Sequence, residues 1–274
     1  GGHKKHRSLI LRAMAHTGLN EARDALIWQL TEGSSASLRR RVPVALSEFP
    51  KPDTLIVEAL LAVNASNERP PDGNVSVNAG LGLGLYEGQI REQDPALADK
   101  IRVEIEAQIN SAHGNEMLAG ALAAASNIAD AKANAHAVDY VNHDDFNVRR
   151  NAIYGIRHLP PADLEASYIA SLDRDDLPMI GEQWAQMLAK GASTTQTGLS
   201  QGMIDATTDK LWKEPDPKKR IALILTLGIA APNNATVRRV LAEYFHQEKV
   251  TDLKRYAAKF LSVQDIANAN QAKP

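Results

Sequence analysis

A spacing of apolar residues that recurs along the chain constrains its fold more than any other feature. An apolar residue is followed by further apolar or small residues at +4, +7 and +8, and successive copies start 39, 40, 31, 32 and 41 residues apart. These positions share one face of an α-helix, and such intervals are typical of helical-hairpin repeats. The six copies start at Leu38, Val77, Met117, Val148, Ile180 and Ile221, after a weaker one from Arg7. The pattern predicts an all-α chain, an α-solenoid of about seven antiparallel helical hairpins.

Partner helices with apolar faces of their own fall between these copies. We place them at 20–31, 53–64, 95–110, 130–141, 161–172, 203–213 and 233–246, with a last helix at 249–261. Two turn-rich stretches, 66–74 and 191–202, predict exposed loops.

The helices that contain the six copies are called the anchored helices below, and three of their features carry predictions of their own. Position +7 holds glycine at Gly84, Gly155 and Gly228. Glycine in a helix costs roughly 1 kcal/mol relative to alanine, so these positions predict close packing of a neighbouring helix. Pro43 falls inside its helix and predicts a kink. The alternating run 79–85 looks like a strand, but it fits the helical register of the other copies.

Composition narrows the classes of function. Apolar residues make up 44% of the chain and aromatic residues only 5%, which favours closely packed helices over a β-sandwich. The net charge of −2 argues against nucleic acid as a partner. No apolar run is long enough to span a membrane. The chain has no cysteine, which excludes disulfides and thiolate metal sites and is compatible with a periplasmic, extracellular or cytoplasmic location.

The domain organisation follows from the repeat. Residues 1–6 are predicted to be a flexible N-terminus or a remnant added by cloning, residues 7–262 a single helical repeat domain, and residues 263–274 a polar tail. Both ends predict that the chain is part of a larger protein.

The best-defined copy resembles a known repeat family. Asp145, Val148-Arg149, Ala152 and Gly155-Ile156 resemble the HEAT repeat, one of the armadillo-like helical families, and the likeness extends in weaker form over nearly the whole chain. The resemblance implies an arginine that pairs with the aspartate of a neighbouring turn, forming a ladder. Asp145, Arg149 and Arg39 are the expected members of this ladder, and an anion contact is the alternative role for the arginines.

A narrower likeness covers roughly residues 75–190. Leu83-Gly84-Leu85-Tyr86, the alanine-rich run 123–131 and the run 147–152 are similar to the helical domain of vitellogenin-type large lipid transfer proteins. Ala129 stands where a glycine would be expected. The likeness implies a curved, two-layered helical arch that supports other domains and partners. In that family the lipid lies mainly against β-sheets, which this chain is not predicted to have.

Candidate binding residues lie beside the ladder. Tyr154, Arg157 and Arg150 flank the anchored face and are the predicted partner-binding residues, because exposed tyrosine and arginine are enriched at protein interfaces. Trp28, Trp184 and Trp212 are predicted to pack in the core or between hairpins.

Catalytic and metal motifs are missing from the sequence. It has neither a nucleophile with a recognisable base nor a phosphate-binding loop ending in Gly-Lys-Ser or Gly-Lys-Thr, although a pair of distant carboxylates leaves no local signature. His3-x-x-His6 and His143-Asp144-Asp145 have ligand-like spacing, yet an Asp-rich turn is ordinary between repeats. We therefore expect no cofactor and no metal.

Three functions remain open at this stage. The first is a non-catalytic scaffold that presents a concave surface to a protein partner or to other domains of the same polypeptide. The second is direct lipid binding, as the vitellogenin-type likeness implies. The third is an enzyme built on a helical solenoid, either glycosylase-like or lyase-like, and this alternative rests on analogy of fold alone.

Overall fold

The computed structural model describes residues 2–50, 53–65, 74–195 and 199–271. Within these ranges the chain forms α-helices joined by turns and two short 3₁₀ segments, and no β-strand occurs. The predicted all-α class is therefore confirmed. The chain divides into two compact units, Gly1–Asn134 and Ala135–Pro274, which are taken one at a time below.

The described residues of unit 1 form nine helices. They are α1 (Gly2–His16), α2 (Asn20–Thr31), α3 (Ala36–Arg39), α4 (Val42–Leu46), α5 (Thr54–Ala65), α6 (Asn74–Ile90), α7 (Pro95–Ser111), α8 (Asn115–Asn127) and α9 (Ala131–Asn134). Helices α1, α4, α6 and α8 pack side by side in that order, while α2, α5 and α7 follow one another as a second row against them. The core lies between the rows and includes the fully buried Leu46, Leu60, Leu83 and Ile101.

Unit 2 repeats this two-row packing. Its helices are α10 (Ala137–Tyr140), α11 (Phe146–Gly155), α12 (Pro161–Ser171), α13 (Leu177–Thr195), α14 (Gln201–Lys213), α15 (Pro217–Ala230), α16 (Ala235–Gln247), α17 (Thr251–Ala258) and α18 (Val263–Gln271), with 3₁₀ turns at Ile156–His158 and Ala231–Asn233. Helices α11, α13, α15 and α17 pack in sequence, as do α10, α12 and α14, and α16 packs against α18. Trp184 and Tyr168 are buried in the core, with their rings edge to face at 5.3 Å.

Several predicted element boundaries need correction. Pro43 does not kink a continuous helix, because α3 ends at Arg39 and α4 begins at Val42. Pro43 thus lies in the first turn of α4, where its missing N–H leaves no helical bond unmade. The helix predicted at 130–141 is broken between α9 and α10.

The two predicted loops have different outcomes. Of the loop predicted at 191–202, residues 191–195 belong to α13 and residues 201–202 to α14, while residues 196–198 lie outside the described residues. The loop at 66–74 lies outside the described residues, except that Asn74 begins α6.

The chain ends take part in helices wherever the structure describes them. Residues 2–6, predicted to be flexible, belong to α1, and residues 263–271 of the predicted polar tail form α18. Among the helices that the structure describes, none is both long and apolar enough to cross a bilayer.

The prediction for the glycines at +7 is confirmed at two of the three positions. A methyl group added at Gly84 would lie 2.2 Å from the Ala124 carbonyl oxygen of α8. A methyl group at Gly228 would meet the Phe260 ring at 2.4 Å. Gly155 is buried in α11.

The buried face of the anchored helices is predicted correctly in some copies and wrongly in two. The 0, +4 and +8 residues of the copies at Val148 and Ile180 are buried. In α6 and α15 the corresponding residues are half-buried or exposed: Val77, Leu81, Leu85, Ile221, Leu225 and Ile229. These two helices bury a different stripe, two residues out of the predicted register, which contains Ala79, Leu83, Leu223 and Leu227.

Candidate interaction surface

The predicted partner-binding residues lie on one stripe of unit 2. Arg150, Tyr154 and Arg157 are four and three residues apart along α11 and the following 3₁₀ turn, and all three are half-buried. Arg157 donates a hydrogen bond to the Tyr154 carbonyl oxygen at 2.6 Å. Burial lowers the pKa of the Arg157 guanidinium. Arg149 and Ala152, on the other side of α11, are buried.

Two of the expected ladder residues, Asp145 and Arg149, lie at the start of α11. Asp145 caps α11, where its carboxylate accepts the backbone N–H groups of Asn147 at 2.8 Å and Val148 at 3.1 Å. Arg149 is only 4% exposed and forms its ion pair with Asp176, not with Asp145. Asp176 directly precedes α13, as Asp145 directly precedes α11.

Arg149 also ties down the turn that contains His143. Its guanidinium donates to the carbonyl oxygens of His143 and Asp144. Arg39 lies in unit 1, half-buried in the last turn of α3. Within unit 2, Arg149 thus pairs with the aspartate of a neighbouring turn and not with Asp145 of its own turn.

Ion pairs between elements far apart in sequence recur within each unit. Arg23 of α2 pairs with Asp53 ahead of α5 at 2.7 Å, and Arg12 of α1 pairs with Glu48 at 2.7 Å. In unit 2 the pairs include Arg149 with Asp176, Lys210 with Asp173, Arg220 with Glu248, and Arg238 with Asp265. These contacts connect elements that are neighbours in the packing, so they give a structural role to Arg149, Arg220 and Arg238.

Helix α15 carries an uncharged stripe away from the core. Ile221, Leu225 and Ile229 lie at i, i+4 and i+8 and are half-buried. No charged residue occurs from Ile221 to Ala231. Such an apolar stripe on the outside of a folded unit is typical of an interaction surface.

A groove of about 190 Å³ runs between this stripe and α13. Beside the groove the two helices approach closely at small residues: a methyl group added at Gly181 would lie 2.4 Å from the Ala222 side chain. The groove is lined by Pro178, Glu182, Lys218, Ile221, Ala222 and Leu225. Its walls thus combine an apolar floor with one carboxylate and one ammonium group at the rim.

The tryptophans divide between core and surface. Trp184 is fully buried, as predicted. Trp28 is 60% exposed, so its predicted buried position was wrong. Trp212 is 42% exposed, but its ring lies 5.5 Å from that of Tyr244 on α16, which agrees with the predicted packing between hairpins. The polar residues three and four positions away, such as Asp24 and Asp209, share their helix faces and could have indicated the solvent side.

The candidate metal motifs behave as ordinary turn and terminal residues where they are described. His143 Nδ1 accepts the Asp145 backbone N–H at 3.0 Å, inside the turn before α11. His6 is exposed on α1, while the side chain of His3 lies outside the described set. Within the described ranges, no group of three or more His, Asp or Glu residues is arranged to hold a metal ion.

Comparison with known proteins finds similarity at the level of fold alone. No protein-family model matches the chain. No curated protein matches it either. Among solved structures, the crystal structure of an engineered protein is 14% identical, with a TM-score of 0.53 over 98% of this chain and 79% of that chain. A second engineered protein is 15% identical, with a TM-score of 0.35 over 89% of this chain and 96% of that chain.

Proposed function

We propose that this chain is a non-catalytic binding and scaffold module, an α-solenoid of HEAT-like hairpins that docks a protein partner or another domain of its own polypeptide. The observation that supports it is the half-exposed, charge-free stripe Ile221–Leu225–Ile229 on α15, with the groove beside it. Residues at i, i+4 and i+8 form a ridge along which a helix of a partner can lay its apolar face.

The neighbouring helices extend this surface. Helix α13 packs between α11 and α15, so the outer faces of the three helices lie on the same side of unit 2. On α11 that face carries the half-buried Arg150, Tyr154 and Arg157. On α13 it carries Met179, which is 57% exposed. An apolar centre with arginine and tyrosine at its margin has the composition of a protein interface.

A charge placed on the stripe tests the proposal. Leu225→Glu is expected to abolish recovery of the specific partner from a lysate of the source organism, as measured by quantitative mass spectrometry against the unaltered chain. Ile169→Glu is the matched control, because Ile169 is an apolar residue, 37% exposed, on the other row of unit 2. Circular dichroism checks that both variants keep their helix content.

A photo-crosslinking residue at position 225 separates direct contact from an indirect effect. It is expected to crosslink to another polypeptide, whereas the same residue at position 169 is not. Equal recovery and equal crosslinking at both positions would sink the proposal. If organic extracts of the purified protein contained a lipid that extracts of Leu225→Glu lacked, the partner of this surface would be a lipid and not a protein.

A further inference from the structure

Helix α2 exposes a tryptophan on a face that is otherwise acidic. Trp28 is 60% exposed, and Leu26 and Leu30 are buried on the opposite side of the helix. Exposed tryptophan is costly to leave in water, and it is among the residues most enriched at binding hot spots.

Carboxylates surround the indole along the same face. Glu21 and Asp24 lie seven and four residues before Trp28, and Glu32 lies four residues after it. All three therefore fall on the same side of the helix as the indole. All three are exposed. Arg23, the one basic residue of α2, is turned inward: its side chain is 14% exposed and is held by Asp53 at 2.7 Å and Asp24 at 2.8 Å. Glu21 and Glu32 form no ion pair with any residue that the structure describes.

We propose that the Trp28 face, defined as Glu21, Asp24, Trp28 and Glu32, is a docking surface for an arginine-rich segment of a partner protein. A guanidinium group can stack flat on the indole while its N–H groups reach the carboxylates on either side. The negative charge selects the class of partner, because it repels phosphate backbones and anionic lipid headgroups and attracts cationic chains. This surface is on unit 1 and is independent of the α15 stripe.

The proposal is tested with fluorescein-labelled hexa-arginine, followed by fluorescence polarisation on the full chain. Trp28→Ala is expected to weaken binding roughly three- to tenfold, because it removes the cation–π contact. The double change Glu21→Gln with Glu32→Gln is expected to weaken binding and to flatten its dependence on salt. Hexa-lysine is expected to bind more weakly than hexa-arginine, because an ammonium group cannot stack in the same way.

Two matched variants control for exposed tryptophan and for net charge elsewhere. Trp212→Ala removes the other exposed indole, which lies on α14 in unit 2. Glu116→Gln removes one exposed carboxylate on α8. Both are expected to bind hexa-arginine as the unaltered chain does, and circular dichroism confirms folding of every variant.

Four results would overturn the proposal. They are a lack of binding at about 1 mM peptide, equal binding of hexa-glutamate, affinity unchanged in Trp28→Ala, and self-association in sedimentation that Trp28→Ala abolishes. Self-association that depends on Trp28 would indicate that the Trp28 face binds the basic helix α1 of a second copy of the chain and not a partner protein.

Discussion

Two glycines of α6 differ in whether their lack of a side chain lets a neighbouring helix approach. Gly84 faces α8, where the space for a side chain is taken by the Ala124 carbonyl group and by Asn127. Gly88 is exposed, and nothing lies within 4 Å of the place its side chain would occupy. The two positions therefore differ in packing while sharing one helix and one residue type.

Replacing each of these two glycines by alanine separates the effect of packing on stability from the effect of helix propensity. Gly84→Ala is expected to lower the free energy of unfolding by about 1–3 kcal/mol, because α6 and α8 must move apart. Gly88→Ala is expected to raise it by up to about 1 kcal/mol, because alanine loses less backbone entropy. Urea denaturation followed by circular dichroism measures both. If the two variants shift the midpoint in the same direction, the close contact at Gly84 is wrong.

Residue identity predicted this contact, whereas for Arg149 it indicated an aspartate of a neighbouring turn without saying which one. A glycine in an apolar helix has few explanations besides close approach, so Gly84 could be interpreted from sequence. The partner of Arg149 depends on which turn its long side chain reaches, and several aspartates precede helices in this chain. The structure selects Asp176 and leaves Asp145 as a cap.

At the scale of the element, a single carboxylate organises the start of α17. Glu248 follows α16, and one of its oxygens accepts the backbone N–H groups of Lys249 and Val250, each at 2.8 Å. The other accepts the Tyr244 hydroxyl at 2.6 Å and pairs with Arg220. Burial tends to raise the pKa of Glu248, but the hydrogen bonds from Tyr244 and the backbone, with the charge of Arg220, outweigh it and lower the pKa below its ordinary 4.5.

This lowered pKa predicts how stability depends on pH. A carboxylate that is more acidic when folded stabilises the chain above its unfolded pKa, and that contribution is lost as the pH falls below about 4.5 through the folded value. Glu248→Gln is expected to cost about 1–3 kcal/mol at pH 7, because it leaves Arg220 without its charged partner, and to flatten the decline in acid. Thermal unfolding from pH 7 to pH 3 measures both effects.

Glu243→Gln is the matched control for this change. Glu243 lies on α16 as well, but its side chain is 43% exposed and its contact with Arg239 is 3.9 Å long. We expect the free energy of unfolding of Glu243→Gln to equal that of the unaltered chain at every pH. If Glu243→Gln flattened the decline in acid as much as Glu248→Gln does, general charge and not this turn would set the pH dependence.

Periodicity predicts an element well and its buried face less well. Helices α11 and α13 are apolar on one side only, so the spacing identifies the side that is buried. Helices α6 and α15 are apolar nearly all round, and two stripes two residues apart then compete for the core. The local sequence cannot decide between them, because the choice depends on where small residues such as Gly84 and Ala222 let a neighbour approach. On α15, the apolar stripe that stays outside the core is the one we propose as an interaction surface.

At the scale of the whole molecule, the packing within each unit supports a stack of hairpins. Each inner helix of the main rows packs against the helix before it and the helix after it in the row, as α6 does with α4 and α8, and as α15 does with α13 and α17. Contacts between nearest neighbours are the organising feature of solenoids. The ion pairs between hairpins, such as Arg23 with Asp53 and Arg220 with Glu248, add polar contacts at the same steps.

The proposed solenoid makes a prediction about size. A compact globule of 274 residues has a radius of gyration of about 19 Å. A stack of hairpins in which each touches only its neighbours is longer than it is wide, so small-angle X-ray scattering is expected to give a clearly larger radius and a skewed distance distribution. A radius near 19 Å with a symmetric distribution would contradict the solenoid. It would leave the two-row packing of each unit intact, and the Trp28 face and the α15 stripe would then have to be tested as surfaces of a globule.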